Sequence, residues 1–91
     1  MLNRYLIESP HDADKCDWIM REMLHLGYLY HFDWGCKSDV HTGWAVVEAE
    51  NEAQARLVIP QLVRPQAQVI RVDRWGPEDF EEEEEIINGE L

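Results

Sequence analysis

Two helix-start signals, each set between strand-like runs, constrain the fold more than any other feature of this chain. The first is Ser9-Pro10-His11-Asp12. Ser9 suits a helix cap, Pro10 suits the first helical position, and Asp12 lies three residues on. The second is Asn51-Glu52-Ala53-Gln54, with Asn51 as the cap and Gln54 three residues later. From the first signal a helix is expected to about Leu26, with Ala13, Cys16, Ile19, Met20, Met23 and Leu24 as its apolar stripe and Gly27 as its stop. The second helix has the stripe Ala55, Val58, Ile59 and Leu62. Pro60 predicts a kink or an early end in it, and Pro65 closes the segment.

The runs between these signals read as strands. In residues 3–8, Tyr5 and Ile7 point one way, with Arg4, Leu6 and Glu8 the other. In residues 28–35, Tyr28, Tyr30, Phe32 and Trp34 alternate with Leu29, His31 and Asp33, and the aromatic content favours a strand. Residues 36–41 read as a turn and 42–49 as a third strand, which makes a hairpin with the second. Residues 67–74 form the last strand, with Ile70 and Val72 on one face and Val69, Arg71 and Asp73 on the other. The order β-α-β-β-α-β predicts an α+β fold: a ferredoxin-like plait, with a four-stranded antiparallel sheet and both helices on one face.

The formal charge of −11 is unevenly spread. Residues 76–91 hold eight acids and no base, which leaves eleven acids against eight bases in residues 1–75, a net of −3. The reading is a domain over 1–75 and an acidic, solvated tail over 76–91; the sharper alternative makes the tail a docking segment for a basic protein partner. An acidic chain of this kind is a poor nucleic-acid binder. No apolar run reaches the length of a bilayer span, and no leader precedes Glu8, so a cytoplasmic protein with reduced thiols is expected. A disulfide between Cys16 and Cys36 is left open.

Such a plait leaves one sheet face uncovered. With Ile7, Ala45, Val47, Ile70 and Val72 under the helices, the open face carries Arg4, Leu6, Glu8, Trp44, Val46, Glu48, Val69, Arg71 and Asp73. His31 and Asp33 join it if the aromatic row of the second strand packs inward. Glu8, His31, Asp33, Trp44, Glu48 and Arg71 are therefore the candidate ligand or interface residues. A second constellation is His11, His31, Cys36 and His41, imidazoles and a thiol that suit Zn, Ni or Cu. Cys36 and His41 flank one turn and His11 lies near a helix start, but no C-x-x-C, H-x-x-x-H or H-E-x-x-H motif fixes the site. Cys16 reads as a small core residue of the first helix.

The strings Tyr-Leu-Ile-Glu-Ser-Pro-His (5–11), His-Phe-Asp-Trp-Gly-Cys (31–36) and His-Thr-Gly-Trp-Ala (41–45) resemble those of small bacterial proteins of unknown function with a ferredoxin-like plait. More distantly, the chain resembles nickel-binding and dimeric α/β-barrel proteins of the same plait. The resemblance covers about residues 3–75 and implies a homodimer paired through the open face, with a ligand or metal there. Three functions follow as expectations. The first is a non-catalytic ligand- or partner-binding domain that dimerises and needs no cofactor. The second is a metal-binding or metal-responsive protein. The third is a small cofactor-free isomerase or oxygenase with His31, Asp33 or Glu48 as acid or base.

Overall fold

In a computed structural model, which describes residues 1–83, the chain forms an α+β fold around a four-stranded sheet. The strands are β1 (Asn3–Pro10), β2 (Asp33–Trp34), β3 (Thr42–Ala49) and β4 (Gln68–Val72). They run in the order β2-β3-β1-β4, and every neighbouring pair is antiparallel. Two α-helices connect them, α1 (Cys16–Leu26) and α2 (Glu52–Arg56), with short 3-10 segments at several connections. None of the described helices is long and apolar enough to cross a membrane. Of the acidic run over 76–91, two short 3-10 turns that meet at a kink at Phe80 cover Pro77–Glu83, and residues 84–91 lie outside the described residues.

The register decides which face is buried. Ile7 lies opposite Ala45 and Val69, and Tyr5 opposite Val47 and Arg71, so these residues share one face. That face packs on Ile19 and Met23 of α1 and on Val58, Ile59 and Val63 that follow α2. Ile7, Ile19, Met23 and Ile59 are essentially fully buried. The other face carries three cross-strand rows: Glu48-Arg4-Val72, Val46-Leu6-Ile70 and Trp44-Glu8-Gln68. The facing expected for the last strand is therefore reversed. Val69 and Arg71 lie on the helix side, and Ile70 and Val72 lie on the open side, because pairing with β1 fixes register against the local hydrophobic pattern.

The first helix starts later than Ser9-Pro10 indicates. Ser9 and Pro10 pair with Gly43 and Thr42 and extend β1, and helical turns begin only at Ala13. Ladder pairing has overridden the local cap signal. Gly27 ends α1 as expected, in the left-handed conformation at φ 87°, with its N–H donating to the Met23 and Leu24 carbonyls.

The expected strand over 28–35 is mostly not a strand. Tyr28 N–H also donates to Met23 O, and a 3-10 turn follows over Leu29–His31, so only Asp33 and Trp34 reach the sheet. The aromatics act individually: Phe32 is buried and stacks on Trp34 at 5.3 Å, while Tyr30 is exposed. The second cap forms as read, with Gln54 N–H donating to Asn51 Oδ1 at 2.8 Å. The chain leaves helix before Pro60, and Leu62, assigned to the buried stripe, is exposed.

Candidate metal centre

The chain brings four donors to one end of the sheet. β1 and β3 are antiparallel, with Pro10 opposite Thr42, so the residue after β1 and the residue before β3 emerge together. These residues are His11 and His41, and His11 N–H donates to His41 O at 2.9 Å, one step beyond the strands. Cys16 is the first residue of α1. Cys36 opens the 3-10 turn after β2.

That turn is fixed by its own chemistry. Gly35 N–H donates to Thr42 O, and Val40 N–H donates to Gly35 O at 2.9 Å. A β-carbon on Gly35 would lie 2.6 Å from Val40 O, so only glycine fits there. Asp39 closes the turn in the left-handed region, φ 64°, where Asp is tolerated better than most residues. Gly43 has a related role: a β-carbon there would meet the Trp34 ring at 2.5 Å.

One ligand atom from each of His11, Cys16, Cys36 and His41 lies within 4.8 Å of all the others. His11 Nε2 is 3.2 Å from Cys16 Sγ and 3.3 Å from Cys36 Sγ. His41 Nδ1 is 3.1 Å from Cys16 Sγ. Tetrahedral coordination by two thiolates and two imidazoles sets donor–donor edges of roughly 3.3–3.8 Å. The cluster therefore reaches that shape with sub-ångström to ångström adjustments of side chains. All four residues are half-buried.

The surroundings favour ligation by His41 in particular. His41 Nε2–H donates to Asp39 Oδ1 at 3.0 Å, which leaves the Nδ1 lone pair directed at the cluster. A carboxylate behind a ligating imidazole fixes its tautomer and raises its basicity. His11 has no such support, since its Nδ1 is buried without a hydrogen-bond partner. Burial, then the nearby His41, hold the His11 imidazole below its ordinary pKa against the opposing pull of Asp12. Burial, followed by the hydrogen bond with Cys16, pushes the Cys36 thiol up to about 11. On their own His11 and Cys36 thus favour their neutral forms. A dication would reverse this balance for Cys36, because a set of two thiolates and two neutral imidazoles cancels its charge.

Three of the four residues expected to hold metal, His11, Cys36 and His41, are gathered here, and His31 is not. His31 lies in the turn before β2, edge-on to Tyr28 with ring centroids 5.5 Å apart, and lines a separate cleft with Arg4 and Glu48. Its place is taken by Cys16, which sequence reasoning assigned to the core. A signal for Cys16 exists: His11 and Cys16 are five apart, as are Cys36 and His41, giving H-x4-C followed by C-x4-H. Each half spans one connection next to a central strand.

The open-face residues are partly assembled. Trp44 Nε1–H donates to Glu8 Oε1 at 3.3 Å, and Asp33 pairs with Trp44 at the sheet edge. Glu48 lies opposite Arg4. Arg71 is excluded from this face, because it pairs with Tyr5. Compared with known family models, curated proteins and solved structures, the chain shows no match.

Proposed function

We propose that this protein binds one divalent transition-metal ion, zinc by chemistry, through His11, Cys16, Cys36 and His41. The single observation that carries the reading is the convergence of these four donors within 4.8 Å. Two sulfur and two nitrogen donors in tetrahedral reach are a zinc set, whereas nickel and copper(II) favour flatter arrangements. With four protein ligands the ion has no open position, so its role is to hold structure or report metal rather than to activate a substrate. The test is cobalt substitution of reduced, untagged protein, together with elemental analysis of the protein as purified. Stoichiometric metal and a tetrahedral, sulfur-ligated cobalt spectrum are expected. A six-coordinate spectrum, or no bound cobalt, would refute the reading.

A second reading concerns the uncovered sheet face. We propose that the sheet is a ferredoxin-like plait, a reading supported by the order β2-β3-β1-β4, and that a second copy of the chain covers the open face. The row Val46-Leu6-Ile70 supports this, since Val46 and Ile70 are about half exposed (48% and 50%) beside Trp44. A monomer gains nothing from aligning these apolar groups across three strands. Trp44→Arg is expected to yield monomers in analytical ultracentrifugation, and a wild-type chain that sediments as a monomer at high micromolar concentration would exclude it.

A further inference from the structure

We infer that Cys16 and Cys36 form an oxidisable dithiol, and that closing it to a disulfide expels the metal. The inference rests on the metal reading above. Both cysteines are free, and their sulfurs lie within 4.8 Å of each other. A disulfide needs about 2.05 Å between sulfurs, so the gap to be closed is under about 3 Å. Cys16 is the first residue of α1 and Cys36 the first of a short 3-10 turn, so the bond would join two element ends rather than two positions inside longer elements.

Access is on one side. A cleft of about 630 Å³ is lined by both cysteines, with Met20, Phe32 and Trp34 as its apolar wall. His41 is not on that wall, and His11 lines a different and smaller cleft of about 250 Å³. A small oxidant entering the larger cleft therefore meets the two sulfurs before either imidazole.

The oxidant class is a hydroperoxide. One thiolate sulfur attacks a peroxide oxygen: an S–O bond forms, the O–O bond breaks, and hydroxide leaves, giving a sulfenic acid. The second thiolate then attacks that sulfur: the S–S bond forms, the S–O bond breaks, and a second hydroxide leaves. The two sulfurs together lose two electrons and the peroxide gains two. With two protons from solvent, the hydroxides become water. The ion has then lost both anionic ligands and keeps only His11 and His41, too few to retain zinc.

The experiment uses the full chain, loaded with zinc while reduced, separated from free metal, and treated with a small excess of hydrogen peroxide. A chromogenic chelator reads zinc release while intact mass reads the loss of two hydrogens. Complete release in step with disulfide formation, reversed by dithiothreitol and fresh zinc, is expected. In Cys36→Ser the disulfide mass does not form, whereas His41→Ala keeps both thiols and still forms it. Zinc held before oxidation and retained after the disulfide closes overturns this inference alone. Release accompanied only by sulfinic acid also overturns it. Absence of bound zinc before the oxidant is added overturns the metal reading, and the release step with it.

Discussion

Replacing Cys16 with alanine separates a metal ligand from a packing residue. Cys16 is half-buried, and apart from the cluster it makes no polar contact, so as a packing residue it contributes little. Without metal, Cys16→Ala is expected to lose less than the ~0.8 kcal/mol of one fully buried methylene. With zinc the two roles diverge. At free zinc a hundred times the dissociation constant, binding adds about 2.7 kcal/mol, which in a domain of this size raises the melting temperature by roughly 11–22 °C. Loss of a mere outer partner of a zinc ligand weakens binding by about 10–100-fold, so loss of a ligand is at or beyond the upper end. At the same free zinc, a hundredfold weakening leaves about 0.4 kcal/mol, or roughly 2–3 °C. The assay is a pair of thermal melts, with and without zinc in reducing buffer, on wild type and Cys16→Ala. A variant that keeps the wild-type zinc shift would refute the placement of Cys16 in the coordination set and return it to the core.

Other consequences are accessible to similar measurements. Asp39→Asn retains a residue suited to the left-handed position but removes the charge behind His41, so zinc affinity is expected to fall about tenfold in a chelator competition. Equal affinity would remove Asp39 from the site. In the metal-free protein, folded Cys36 keeps its proton up to about 11 while the unfolded chain releases it near 9.0, so stability falls as pH rises through that window. The depressed His11 pKa acts at the other end: below 6.5 the unfolded chain protonates first, and stability falls as pH falls. Urea melts across both windows check the signs, and stability that climbs between pH 9 and 11 would contradict the Cys36 environment. Gly43→Ala forces a β-carbon to 2.5 Å from the Trp34 ring and is expected to cost about 1–3 kcal/mol in urea unfolding. A neutral effect would show that Trp34 yields without loss.

The parts of this fold that were legible in the sequence are those decided locally. The Asn51 cap, the Gly27 stop and the strands around Ile7 and Ala45 depend on neighbouring residues, and each appears where its chemistry puts it. The parts that were not legible are decided by pairing. Ser9 and Pro10 carry a good cap sequence, yet Gly43 and Thr42 claim them for the ladder. Val69 and Arg71 face the helix side because β1 sets the register, although Ile70 and Val72 are the more apolar pair. The aromatic run from Tyr28 to Trp34 alternates like a strand, but the left-handed exit at Gly27 carries Tyr28 back onto α1. The site followed the same division. His41 and Cys36 flank one turn and could be paired by eye, whereas Cys16 requires knowing that α1 begins at the sheet end rather than at Pro10. The late helix start thus brings Cys16 to the cluster, and the 3-10 turn over Leu29–His31 keeps His31 out of it.

The position of the four donors says what a metal would do for the fold. The helices are short, with α1 running over Cys16–Leu26 and α2 over Glu52–Arg56, and the buried core is correspondingly small. Domains of this size gain disproportionately from a staple. Cys36 and His11 are 25 residues apart in sequence, as are Cys16 and His41, so two of the three close N···S contacts span a long loop. One ion bound to all four ties the start of α1, the exit of β1, the turn after β2 and the entry to β3. Those are the places where β2, only two residues long, gives the sheet its weakest edge. An all-imidazole staple at this edge would be indifferent to redox conditions. Two thiolates on an open cleft would not be, so under the proposed reading an oxidant removes the staple from the sheet edge that has the least pairing to hold it.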